Sequence, residues 1–269
     1  MKKKPNYNLI CGIVITGLIL SITVIGQFFT PYDPNELNAS LKNAAPSLMH
    51  LMGTDNLGRD ILSRVMAGIG TTLFIALWTV FIGGLFGTIV GALTGYFGGW
   101  IDEAVMRVND ILLSFPSILL ALIFVSVVGT GKLNLIICLG ILFIPSFARI
   151  VRSEIIRLKA LDFVKSAKVM GAGHLRIIFV HMLPNIVVSM LTTAAIGFNN
   201  AILAEAGMSY LGLGVQPPDA SLGRMISESQ AYLFNAPWFS IFPGIVIILT
   251  ILGFSLISDG LKKVSGAAS

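Results

Sequence analysis

The sequence predicts an all-α membrane protein with six transmembrane helices and both termini in the cytoplasm. Three observations carry that expectation: a scarcity of charge, six apolar stretches, and basic residues gathered in alternate loops. Of 269 residues, 55% are hydrophobic and only 12% charged, and the mean hydropathy is +0.87. A water-soluble domain carries about 25% charged residues, so this chain cannot dress its surface in water. It can dress one in lipid, where the exterior must be apolar. The length suits one domain. A net charge of +5 would fit nucleic acid, but the basic residues lie between apolar stretches, which is the pattern of membrane topology.

The stretches span 9–29, 71–96, 111–128, 133–147, 186–204 and 238–257. The first follows Met1-Lys2-Lys3-Lys4 and resembles a signal sequence, but it holds 21 residues, about 30 Å as a helix. No small-residue cleavage pattern ends it, so it reads as a retained anchor. The fourth has 15 residues and contains Pro145, and on length alone it would be re-entrant. Charge argues for a full crossing. With six spans and the amino terminus inside, segments 1–8, 97–110, 148–185 and 258–269 are cytoplasmic. They hold 13 of the 18 Lys and Arg residues, as the positive-inside rule requires. Lys42, Arg59, Arg64, Lys132 and Arg224 remain outside.

This layout divides the chain into an anchor (1–29), an extracellular segment (30–68), a five-helix core (69–258) and a cytoplasmic tail (259–269). The core carries a cytoplasmic loop at 148–185 and an extracellular loop at 205–237. In its second span Gly83, Gly87, Gly91 and Gly95 recur every four residues, a spacing that lets another helix approach backbone to backbone. Both outer segments carry Gly and Pro turn signals, including Gly53-Thr54-Asp55-Asn56-Leu57-Gly58-Arg59-Asp60 and Gly212-Leu213-Gly214-Val215-Gln216-Pro217-Pro218.

Enzymatic chemistry finds no support. His50, His174 and His181 fall in predicted loops, and no HExxH occurs. Gly207-Met208-Ser209-Tyr210 lacks the closing Gly of a nucleophile elbow. Gly129-Thr130-Gly131-Lys132 lacks the first Gly and the final Ser or Thr of a phosphate loop. Cys11 and Cys138 have no ligand spacing and read as packing residues. The cores of the spans lack ionisable residues, with Glu205 at the outer end of the fifth, which weakens an ion-coupled secondary transporter. Among the few polar groups in the spans, Asn199 and Asn200 either line a pathway or bond between helices.

The cytoplasmic segment 148–185 is the most informative. A basic amphipathic stretch from Arg149 to Arg157 leads to Asp162-Phe163-Val164-Lys165-Ser166-Ala167-Lys168-Val169-Met170-Gly171-Ala172. Asp162 fits a helix N-cap and Gly171 a C-terminal stop. A second helix ending near Pro184 would complete a rigid knob able to transmit force from another protein.

This segment resembles the conserved cytoplasmic loop of bacterial ABC importer permeases, which reads Glu-Ala-Ala, then Gly, then a hydrophobic-x-Leu-Pro ending. Ala167, Gly171, Ala172, Leu183 and Pro184 fit it. The chain departs at Lys165 and Ser166, where the family commonly has Glu and Ala, and at His181. The stretches from Gly53 to Arg64 and from Gly207 to Pro218 are similar to the C-type permeases of dipeptide, oligopeptide and nickel importers. The resemblance implies a type I ABC importer permease fold in the bacterial inner membrane. It also implies a homologous second permease, two cytoplasmic ATPases and an extracellular binding protein. ATP and magnesium would belong to the ATPases, with no cofactor or metal on this chain and no catalytic residue. Asp162, Lys165, Ser166, Ala167, Gly171, Ala172, Leu183 and Pro184 would form the ATPase-coupling loop. The substrate implied is a di- or oligopeptide, with nickel or a metal chelate as the alternative and an ion-coupled carrier as the reading from another class.

Overall fold

The computed structural model describes residues 6–264, and among these every regular element is a helix apart from one isolated bridge between Thr54 and Asp60. The basic residues Lys2, Lys3 and Lys4 and the last five of the tail lie outside the described residues. Helix α1 (Tyr7–Phe28) starts at Asn6, whose side chain accepts from the Leu9 amide. Helix α2 (Ile61–Phe97) has 37 residues. It begins ten residues before the apolar stretch that signalled it, inside the segment expected to be extracellular loop. The cause is local: the Asp60 carboxylate accepts from both the amide and the hydroxyl of Ser63, each at 2.8 Å, and caps the helix early.

The third apolar stretch is not one straight helix. Helices α3 (Gly99–Ser114) and α4 (Ser117–Val128) meet at 94°. Phe115 is extended, with φ −89° and ψ 144°, as a following proline imposes, and Pro116 has no N–H to continue the ladder. Helix α3 is amphipathic, burying Asp102 and Asn109 while exposing Trp100, Ile101, Val108 and Ile111. Helix α4, at 12 residues, is about 18 Å long, too short to cross alone. Among the described residues there are thus five continuous helices able to cross a bilayer, and a sixth crossing if the bent pair is taken as one.

Helix α5 (Lys132–Lys159) runs unbroken through Pro145, so the short fourth stretch is the apolar half of a 28-residue helix. Helix α6 (Asp162–Val169) follows. Helix α7 (His174–Tyr210) then joins the second half of the expected knob to the fifth span. The expected stop at Pro184 does not occur. The helix widens by one residue before the proline, where the Leu183 amide bonds back to the Ile178 carbonyl, and tightens after it. This wide turn absorbs the missing N–H and carries the axis onward. His181 therefore lies in a helix. Helices α8 (Leu222–Ser229) and α9 (Trp238–Val264) complete the described residues, α9 running beyond the start expected for the tail.

Helices α2 and α5 form the tightest pair. A Cβ on Gly83 or Gly87 would stand 2.5 Å from the Cβ of Phe143 or Phe147, one on Gly91 would strike the Ala148 carbonyl, and one on Gly95 would stand 2.9 Å from the Arg152 carbonyl. From the other side Gly140 admits Ile82. Helices α1 and α9 pack similarly, with Gly12 against Ile257 and Gly253 against Thr16, and Asn6 Nδ2 donates to the Gly260 carbonyl at 2.8 Å. The indole of Trp238, at the start of α9, donates to the Thr54 carbonyl beside the start of α2. The start of α1 and the ends of α2, α5 and α9 thus share one end of the molecule, and α6 lies there with them.

Polar anchors hold the opposite end. Asp55 accepts from the amides of Leu57 and Arg59 and from Arg59 Nε at 2.6 Å. Glu228 Oε2 accepts from Arg59 and from the fully buried Arg64, both at 3.0 Å, and its Oε1 accepts from Arg224. Gly58 makes the loop possible, since its φ is +78° and a Cβ there would overlap the Asn38 carbonyl.

Two outcomes are expected from thermal unfolding in detergent. Gly91→Leu lowers stability by about 2–3 kcal/mol through overpacking, whereas Gly17→Ala, where a Cβ meets nothing within 4 Å, leaves it unchanged. Glu228→Ala costs about 3 kcal/mol, because two buried guanidinium groups lose a shared partner.

Candidate functional site

The hairpin formed by α6 and the start of α7 grows directly from α5. Asp162 is not the N-cap. Leu161, extended at φ −78° and ψ 150°, takes that place without a side-chain bond. Asp162 is instead the first helical residue, where an acid complements the helix dipole, and it pairs with Lys165 at 3.0 Å. Beyond the cap residue Met170, Gly171 has φ +81°. The Gly171 amide donates to the Lys168 carbonyl at 3.1 Å and the Ala172 amide to the Ala167 carbonyl at 3.0 Å, the two bonds of a Schellman stop.

One face of α6 is buried. Val164 and Ala167 join Ala92, Tyr96, Val151, Ile155, Ile177, Ile178 and Met182 in one apolar cluster, with Ala172 and Leu183 packed against it. The hairpin is thereby fused to α2, α5 and α7. Lys165 and Ser166 are exposed on its other side, as is Pro184 at the bend of α7. Asp102 of α3 accepts from Arg152 of α5 in a fork of 2.5 and 2.6 Å, and Asp110 pairs with Arg149. The Ser189 hydroxyl donates to Glu154 at 2.9 Å. Ion pairs thus bind α3, on the near side of the break at Pro116, to the same scaffold.

A cavity of about 610 Å³ lies between α4, α5 and α7, near the α2–α5 seam. Its lining is apolar apart from Ser117, Ser146, Thr193 and Asn200. Asn200 reaches it, whereas Asn199 does not line it and its Oδ1 is buried without a partner. The two asparagines expected together are separated by the turn of the helix. Ser117 and Ser146 escaped the sequence reading because each sits beside a proline in an apolar run, with no periodic signal.

A second feature was out of reach of the sequence. Glu205 is fully buried in α7. Its carboxyl accepts from Ser209 Oγ at 2.7 Å and from Thr72 Oγ1 of α2 at 3.0 Å. Those hydroxyls in turn accept from the amides of Val215 and Leu222. This ionisable group is a knot tying α2, α7 and the loop before α8. Ser209, the residue of the failed nucleophile motif, is one strand of that knot.

Residues 87–267 match the family described as binding-protein-dependent transport system inner membrane component. The dipeptide transport system permease protein DppC of Alkalihalophilus pseudofirmus is 39% identical over 259 residues, covering 96% of this chain and 85% of that protein. The glutathione transport system permease protein GsiD of Escherichia coli O6:H1 is 41% identical over 246 residues, covering 91% and 81%. Among solved structures, a chain of the inward-facing MetNI methionine ABC transporter superposes with a TM-score of 0.61 at 20% identity, covering 77% of this chain and 96% of that one. That likeness shows a common fold, and the family match and the two permeases show the lineage. This chain belongs to the inner membrane components of binding-protein-dependent transport systems.

Proposed function

We propose that this chain forms half of the translocation pathway of an ATP-driven importer for di- or oligopeptides. The observation that carries the proposal is the hairpin of α6 and the start of α7, whose exposed face is free to dock on another protein while its buried face is fused to α2 and α5 and its second arm continues as the long helix α7. A push on such a knob moves the helices as a body, the kind of switch that alternates access. In this reading the exposed side of α6, with Lys165 and Ser166, seats on a cytoplasmic ATPase, and Gly171 holds its angle. ATP and magnesium stay with that partner, and this chain is not an enzyme. The basic bias of 148–185 puts the hairpin end in the cytoplasm. The cavity beside Asn200 forms one wall of the pathway, and a second permease closes it. At the opposite end Leu48 and Phe234 are almost completely exposed, at 98% and 101%, and they provide apolar contact for a loaded binding protein.

Peptides are favoured over nickel because the permeases quoted above are named for a dipeptide and for glutathione, itself a tripeptide. An ion-coupled carrier is disfavoured because Glu205 has its oxygens taken up by protein hydroxyls.

Two outcomes follow from this reading. Purification in mild detergent with co-expressed chromosomal neighbours should retain a second permease and two ATPases, with ATP hydrolysis stimulated by peptide-loaded binding protein. A chain that purifies alone and still transports without ATP would overturn the proposal. Gly171→Val, which forces a β-branched residue into a left-handed backbone, should leave membrane levels unchanged and cut peptide uptake at least tenfold. Normal uptake by that variant would remove the hairpin from the mechanism.

A further inference from the structure

A cleft of about 320 Å³ opens between the end of α2 and the hairpin, walled by Tyr96, Phe97, Lys159, Lys165, Lys168 and His174. Its charge is lopsided. Lys159 Nζ donates to the Tyr96 carbonyl at 2.5 Å and lies 5.7 Å from the centre of that ring. That single bond leaves the ammonium two further donors. Tyr96 Oη and His174 Nδ1 share a hydrogen bond of 2.9 Å. The acids nearby are already engaged, Asp162 by Lys165 at 3.0 Å and Asp102 by the Arg152 fork. Among the described residues Lys159 and Lys168 take part in no salt bridge.

The surroundings are apolar and exposed. Phe97 and Trp100 are 54% and 78% exposed at the point where the apolar part of α2 ends and the amphipathic α3 turns away. Aromatic rings in such a position mark the boundary between hydrocarbon and headgroups, and lysines just beyond it reach the phosphate layer. We infer that this cleft binds the phosphodiester headgroup of an anionic phospholipid, with phosphatidylglycerol as the test ligand. The lipid would bridge Lys159 of α5 and Lys168 of α6 beside the end of α2, bracing the hairpin against the two helices to which its buried face is fused. A soluble phosphate offers the same anion, but it would leave Phe97 and Trp100 facing water. An acidic surface of an ATPase would need those rings covered by protein.

The test is native mass spectrometry of the transporter purified with its co-expressed partners, titrated with phosphatidylglycerol, phosphatidylethanolamine and glycerol 3-phosphate. Phosphatidylglycerol should bind at least tenfold more tightly than phosphatidylethanolamine. The Lys159→Gln/Lys168→Gln double variant should lose about thirty-fold in that affinity, at roughly fivefold for each lysine near an anionic surface, and Lys159→Arg/Lys168→Arg should restore it. Equal binding of the two lipids, or undiminished phosphatidylglycerol binding by the glutamine variant, would overturn the inference. So would displacement of the lipid by equimolar glycerol 3-phosphate, which would make the ligand a soluble anion. Lipid binding that appears only after the ATPases are stripped would assign the cleft to a protein partner. Because lipid occupancy is read directly, failure here is distinguishable from failure of the importer reading, which is read by peptide-stimulated ATP hydrolysis.

Discussion

The rest of the structure depends on one contact, the backbone approach of α2 to α5. In lipid, apolar side chains gain nothing by leaving the solvent, so helix association relies on close packing and on hydrogen bonds. Four glycines on one face of α2 allow the α5 main chain within van der Waals reach along much of the membrane. A joint of that kind has little freedom to slide, because from Phe143 to Arg152 α5 sits against four glycine positions with no room for a Cβ. The pair is therefore a rod, and the other elements are placed by attachment to it.

At the hairpin end the attachment is apolar and ionic together. Val164 and Ala167 sink into a cluster with residues of α2, α5 and α7, and the fork from Arg152 holds α3 against the same helix. At the opposite end it is polar. Glu228 gathers three arginines from two segments, and Glu205 collects hydroxyls from α2 and from its own helix. Buried charges are weak sources of net stability but costly to disturb once paired. They suit a surface that keeps its shape, as the proposed docking of a binding protein requires. Between the two ends lies the cavity near Asn200, bounded on one side by the rod and on another by α4, the shortest of its walls.

How much of this was legible in the sequence depends on the range of the interaction. The glycine spacing, the Schellman stop at Gly171 and the membrane class are local or compositional, and each can be read from neighbouring residues. The break at Pro116 was visible as a Phe-Pro pair, yet the apolar run on either side of it outweighed that signal. At Pro184 the error was opposite, since a proline expected to end a helix was bypassed by one wide turn. The union of Arg64 with Glu228 and the burial of Glu205 join segments far apart in the chain, and no local pattern announces them. The cavity is harder still, because its polar residues are two serines, one threonine and one asparagine whose common address exists only after folding.

In the proposed importer α6 and the α2–α5 rod move as one body, and α4, beyond the break at Pro116, moves relative to it. Spin labels at the exposed positions Val169 and Phe81 report within that body, and labels at Phe81 and Val127 report across to α4. Pulsed electron paramagnetic resonance on the assembled transporter, with Cys11 and Cys138 replaced, should give the same Val169–Phe81 distance in nucleotide-free and ATP-trapped states. The Phe81–Val127 distance should change between them. A shift of several ångströms between Val169 and Phe81, with the other distance constant, would contradict the account, because the hairpin would then be moving on the rod instead of driving it.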